Sequence, residues 1–161
     1  MAVDMFLDIT GEIKGESQDH KHKDAIDILA WSWGMSQSGS FHVGGGGGAG
    51  KANFQDISVT KWVDQASATL MLYCANGDHF DSAVITVRKA GKKPLEYIKI
   101  KMTKVLVTSV STGGSGGEDK LTENVSFNFA EVEYQYTKQK DDGSGDTPKD
   151  FKWNIASNEQ K

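Results

Sequence analysis

Two long extended runs, residues 95–112 and 121–138, constrain this chain more than any other feature. Each alternates apolar and polar residues for far longer than the ~5–6 residues of an ordinary strand. Each also changes phase part-way. In the first, Ile98, Ile100 and Met102 share one parity, and Val105 and Val107 take the other. In the second, Phe127 and Phe129 share one parity, and Val132, Tyr134 and Tyr136 take the other. Strand side chains alternate between faces, so a phase change inside a continuous strand is what a β-bulge produces. Bulges bend long strands, and long bent strands close into barrels. Gly113-Gly114-Ser115-Gly116-Gly117 joins the two runs and suits a hairpin.

The rest of the chain reads as shorter strands around this pair. Residues 2–10 alternate, with Val3, Met5, Leu7 and Ile9 on one side and a polar side interrupted only by Phe6. Residues 25–35 form a second strand with Leu29, Trp31, Trp33 and Met35 on its core face. Ile26, Ile28, Ala30, Ser32 and Gly34 share the other. Apolar on both sides, this strand needs cover on both, which hints at a partner subunit. Residues 53–63 resume extended structure, with Ile57, Val59 and Val63 alternating against polar positions. Asp64 is then expected to cap a short helix over 64–76, with Gly77 as its C′ residue and Ala66, Leu70, Met71, Tyr73 and Cys74 facing inward. Residues 80–90 and 150–156 add strands, and the final SNEQK is expected to fray. The sum is one mainly β domain over residues 1–161: a barrel of two curved antiparallel sheets with one flanking helix.

Composition narrows the function classes. A formal net charge of -4 argues against nucleic acid or an anionic membrane as partner. The single cysteine, Cys74, allows no internal disulfide and no cysteine-based zinc site. No window approaches the ~18 consecutive apolar residues of a membrane helix. The first residues, MAVDMFLDIT, lack the basic start and apolar run of a Sec signal peptide.

Four groups of residues could carry chemistry. Residues 45–51 fit G-x-x-x-x-G-K, but Ala52 stands where a P-loop needs Ser or Thr, and a strand rather than a helix follows. Glu16, Asp19, His20 and His22 could gather around a divalent ion, yet Lys21 and Lys23 interleave with them. A solvated polar turn entering a strand is the plainer reading. No G-x-S-x-G is present, and the paired carboxylates Asp141-Asp142 and Glu131/Glu133 have nothing to perturb them. The four tryptophans fall mostly at core parity, although a monomeric barrel using them to bind a small ligand or carbohydrate is the alternative class. No catalytic residue, metal or cofactor is expected.

One ordered set of residues is more specific. Gly15-Glu16-Ser17-x-Asp19-x-x-His22, followed by Ile26-x-Ile28-x-x-Trp31-Ser32-Trp33-Gly34, closely resembles the signature of the haemolysin-coregulated protein (Hcp) family. Asp4-x-Phe6-Leu7-x-Ile9, Asp64-x-Ala66-Ser67-x-x-Leu70, Tyr97-x-x-Ile100 and Glu123-x-Val125-Ser126-Phe127-x-Phe129 extend the likeness to about residue 137. The resemblance implies a non-enzymatic subunit of the bacterial type VI secretion tube. It implies hexameric rings that stack, hold and chaperone effector proteins in a central channel, and are fired by a contractile sheath behind a spike tip. It also implies residence in the bacterial cytoplasm and then secretion without a Sec signal. Gly15, Glu16, Ser17, Asp19, His22, Trp31, Trp33 and Gly34 would be structural. Ser32, pointing away from the tryptophans, and Ser115, the one side chain in its glycine turn, are candidates for the channel wall. Gly44, Gly45, Gly46, Gly47, Gly48, Gly50 and Lys51, in a long loop at 40–52, are candidates for contact with the next ring.

Overall fold

In the computed structural model, which describes residues 2–42, 48 and 50–161, the two long runs form the two longest strands. In chain order the elements are β1 (Val3–Ile9), β2 (Ile26–Ser32), β3 (Met35–Ser36), β4 (Asn53–Phe54), β5 (Ile57–Trp62), α1 (Ser67–Asn76), β6 (His79–Lys89), β7 (Leu95–Thr112), β8 (Thr122–Tyr136), β9 (Lys149–Asn154) and β10 (Glu159–Gln160). β7 and β8 pair along almost their whole length, from Ile98 opposite Tyr136 to Thr112 opposite Glu123. The other edge of β8 is shared. Its first half takes β5 and its second half takes β9. From β5 the sheet continues through β2, β1 and β6 back to β7, so it closes on itself. The result is the expected mainly β barrel with one short helix. Its two curved sides belong to one continuous sheet, and β9 and β10 extend it outside the closed part.

The phase change in the long pair has an identifiable cause. Ile100, Met102, Val105 and Val107 are all buried, and Lys104 between them adopts φ 55°. Phe127, Phe129 and Val132 are buried on the partner strand. Met102 faces Val132 and Val105 faces Phe129, so both strands change phase together without losing register. The bend therefore rests on a left-handed residue, an uncommon conformation for lysine. The register shift itself lies further on, between Val107 and Ser109.

β2 corrects the expected faces. Ile26 and Ile28 are the buried pair, whereas Leu29 and Met35 are 39% and 45% exposed. The register against β5 shifts between Ile28 and Ala30. Leu29 is the extra residue at this irregularity, and beyond it the inward parity passes to Trp31 and Trp33, which pack half-buried against the core. The strand also stops at Ser32. Met35 pairs instead with Phe54 in the small β3–β4 ribbon. Phe6, expected on a polar face, is buried because residues 15–24 cross over it.

The helix starts later than expected. Asp64 accepts the Ala66 N–H at 2.9 Å through its carboxylate and the Ser67 N–H at 3.1 Å through its carbonyl, so it shapes the turn before α1 rather than capping it. Gly77, at φ 73°, closes the helix with its N–H on the Tyr73 carbonyl, as expected. Ala66 and Leu70 are buried, but Met71 faces outward and is 38% exposed. The last residues do not fray: Glu159 and Gln160 pair with Asn154 and Trp153, and Lys161 forms an ion pair with Glu131.

The third inward position of β5 is not apolar. Ile57 and Val59 are followed by Lys61, which is fully buried and faces the fully buried Glu123 of β8. The Lys61 ammonium donates to Glu123, lies 2.9 Å from the Asp64 carboxylate and 3.3 Å from the Ser67 hydroxyl. Ser67 donates to Glu123 as well. One buried charge pair thus ties the end of β5, the start of α1 and the start of β8 together. Removing one partner strands the other charge in the core, at a loss of about 3–5 kcal/mol. Lys61→Met should therefore lower the urea midpoint severely, while Lys61→Met with Glu123→Leu should recover most of the loss. A double variant no more stable than the single would contradict this.

Candidate functional site

Outward-facing residues on one half of the barrel form an unusual surface. Across β2, β5, β8 and β7 the register aligns Ser32, Ser58, Ser126 and Ser109 in one cross-strand row. The neighbouring row is Ala30, Thr60, Asn124 and Ser111. Between them, on the opposite face, run Trp31, Val59, Val125 and Val110, all buried or packed on the core. Strand alternation thus sends the bulky apolar groups of these rows inward and the small polar groups outward.

Within these two rows no side chain is charged. The Ser58 and Ser126 hydroxyls are 2.9 Å apart, and the Thr60 hydroxyl donates to the Asn124 carbonyl oxygen at 2.7 Å. Charge appears only at the margins. Asp56 holds Thr108 at 2.7 Å and Asn128 at 2.8 Å, and the Lys120 ammonium lies 5.4 Å from the Trp62 ring centre. Hydroxyls both donate and accept, so such a face can meet a polar partner with weak hydrogen bonds and without a long-range field selecting its charge.

Ser32 begins the first row and is exposed. Ser115 lies in the β7–β8 connection, also exposed, and lines a recess of about 360 Å³ together with Ser111 and Asn124 of the second row. The two serines singled out from sequence thus border the same surface.

The long loop is anchored at its base. Phe54 stacks between Trp33 and Trp153, with ring centres 6.4 Å apart in each case, and the Trp33 indole N–H donates to the Gln55 carbonyl at 3.0 Å. The Gln55 N–H donates to the Gly34 carbonyl at 2.9 Å, and a Cβ on Gly34 would press on the Gln55 side chain at 3.1 Å. Further out, Ser40 donates to the Gly48 carbonyl, Gly50 donates to the Ser38 carbonyl, and Lys51 is exposed. Phe41 is 88% exposed. Gly44, Gly45, Gly46 and Gly47 lie outside the described residues.

Residues 15–24 form a polar strap across β1, β6 and β7. Its entry is fixed by close backbone approach: a Cβ on Gly15 would sit 2.6 Å from the Ile26 Cα. The Gly15 N–H donates to the Asp24 carbonyl at 2.8 Å, Ser17 donates to the Ala25 carbonyl at 3.0 Å, and Glu16 accepts the Gln65 N–H at 2.8 Å. Asp19 grips the Arg88 guanidinium at 3.1 and 2.5 Å, and Arg88 also reaches Asp4. That guanidinium, with two backbone N–H groups, holds the Asp19 carboxyl well below the usual carboxylate range. His22 stacks on Phe6, and its two ring nitrogens lie 2.9 Å from Asp8 and 2.8 Å from Glu96. The candidate metal cluster is not assembled, because His22 is engaged by carboxylates of β1 and β7, Asp19 is engaged by Arg88, and His20 is exposed.

Comparison with known proteins fits this architecture. The family model described as "Type VI secretion system effector, Hcp" matches residues 6–136. Protein hcp1 of Pseudomonas aeruginosa is 57% identical over 162 residues, covering 99% of each chain. This chain belongs to the Hcp family. Among solved structures, Hcp1 from Salmonella typhimurium is 32% identical over 99% of both chains with a TM-score of 0.78. A type VI secretion system effector from Yersinia pestis is 34% identical, over 94% of this chain and 99% of that one, with a TM-score of 0.77. A type six secretion system protein at 29% identity gives a TM-score of 0.93 over 99% of this chain and all of that one. The family is one of structural secretion proteins rather than enzymes.

Several residues of this Hcp-family chain escaped the sequence reading. Lys61 follows the inward parity of Ile57 and Val59, so its burial was signalled by alternation and hidden by its charge. Asp8, Arg88 and Glu96 carried no signal, because their partners lie 14, 69 and 74 residues away. The serine row depends on register among four strands, which no single segment encodes. The strap's geometry makes a direct test: Gly15→Ala should cost about 1–3 kcal/mol of stability through forced backbone displacement. Gly116→Ala, where a Cβ meets nothing within 4 Å, should leave the denaturation midpoint unchanged.

Proposed function

We propose that this chain acts as one Hcp-like unit, a structural subunit of a type VI secretion tube. It forms a hexameric ring whose central channel holds and shelters effector proteins. Rings stack, a contractile sheath surrounds the stack and a spike caps it. The protein resides in the bacterial cytoplasm until firing and then leaves without a Sec signal. No cofactor and no catalytic step enter this reading.

The observation that carries it is the neutral hydroxyl face running from Ser32 to Ser109. A channel wall must admit different proteins and release them. Small uncharged hydroxyls suit that task, because they satisfy a partner's polar groups without attracting or repelling by charge. Family membership supplies the context in which such a face belongs to a tube. In this reading Ser32 and Ser115 contact cargo. Gly44, Gly45, Gly46, Gly47, Gly48, Gly50 and Lys51 contact the next ring, and the stack of Phe54 with Trp33 and Trp153 holds the chain that follows them. The alternative reading, a monomeric ligand-binding barrel with a tryptophan platform, gains little support. Trp33 and Trp153 are packed on Phe54, and Lys120 covers Trp62.

Light scattering behind a sizing column should return the mass of a hexamer. A clean monomer at every concentration would overturn the ring. Ser32→Gln places a long side chain on a face of short ones, so it should abolish cargo retention while the hexamer mass is unchanged. Normal cargo levels in that variant would remove Ser32 from the channel wall.

A further inference from the structure

The hydrogen-bond count at His22 points to a use of the strap that tube building does not require. Both ring nitrogens face carboxylate oxygens: Nδ1 is 2.9 Å from Asp8 Oδ2, and Nε2 is 2.8 Å from Glu96 Oε1. Ionised carboxylates only accept, and a neutral imidazole carries one N–H. Neutral His22 would therefore satisfy one carboxylate and press a lone pair against the other. The imidazolium, with two N–H groups, satisfies both. Its parallel stack on Phe6, with centroids 4.5 Å apart, also favours the charged ring through the aromatic π face.

The surroundings make this a junction of three elements. Asp8 belongs to β1, Glu96 to β7, and His22 to the strap, which is otherwise pinned by the Asp19–Arg88 pair. The charged groups nearby do not all favour the cation. Arg88 of β6 lies over the same Phe6 ring at 5.1 Å and opposes it, but Asp19 and Asp4 neutralise Arg88. Lys99 of β7 takes the second Glu96 oxygen at 3.1 Å, and Lys21 and Lys23 flank His22 in the strap from exposed positions.

We propose that His22 is a protonation-dependent clasp: charged, it fastens residues 15–24 to β1 and β7 at once; neutral, it releases one of the two and lets the strap open. Burial of the ring disfavours its charge, yet the hydrogen bonds and charges of Glu96 and Asp8 outweigh burial and raise its pKa above 6.5. Because the folded value is raised, the clasp's contribution is complete below the unfolded value and is lost as pH rises through the folded one. The clasp is therefore tight at and below the ordinary histidine range and loosens as pH rises through the raised value. Toward acid it persists, because burial alone would raise Glu96 but His22 and Lys99 hold its carboxyl below the usual range.

Amide hydrogen exchange on the full chain between about pH 5.5 and 9 tests this, with the His22 ring titrated by NMR over the range in which histidine switches. Once intrinsic rates are removed, protection of the Gly15, Ser17 and Asp24 amides relative to β8 amides should fall about tenfold across the His22 titration, as expected for one lost charge-assisted bond. His22→Gln should show no such step. Glu96→Gln, which keeps the fold's shape, should move the step to lower pH. A wild-type ratio flat across the His22 titration would overturn the clasp. So would an unchanged step in either variant.

Discussion

Everything in this barrel depends on the hydrogen bonding of one strand to three others. β8 gives one full edge to β7 and divides the other between β5 and β9. That division allows a single sheet to close while still extending beyond its own closure. The bend needed for it comes from the paired phase change at Lys104, where a left-handed residue turns both strands at once and keeps every inward side chain inward. A sheet that closes in this way leaves few free edges, so its surface chemistry is set by side chains rather than by unpaired backbone.

Polar residues then fall into three classes by place. Inside, Lys61 and Glu123 carry opposite charges that stabilise each other across β5 and β8 and hold the start of α1. Such a pair adds little net stability over an apolar one, whereas losing one member leaves the other charge buried and unpaired. On one outer side, Asp4, Asp8, Asp19, His22, Arg88 and Glu96 interlock around Phe6 and bind the strap down. On the other, short hydroxyls form a neutral sheet face. Charge is spent where segments must be held, and is absent where we infer that cargo passes.

The aromatic cluster at the base of the long arm joins these parts. Trp33 follows β2 just past the serine row, and Phe54 ends β4, shortly before β5 begins. Their stack with Trp153, which itself stacks on Phe151, packs Phe54 against β9.

The sequence by itself determined the fold class, the two long bent strands, the helix with its Gly77 stop and, through its ordered signature, the family. These are legible because alternation and turn chemistry are local, and because a signature is read along the chain. Only the tertiary structure decided which face each residue of β2 takes, since the irregularity at Leu29 exchanges parity without leaving a mark in composition. It alone showed Phe6 roofed by His22, Lys61 matched to Glu123, and four serines from four strands brought into one row. The physical reason is the same in each case. A charge or a hydroxyl is placed by a partner far away in the chain, and register between strands, not the pattern within one, chooses that partner.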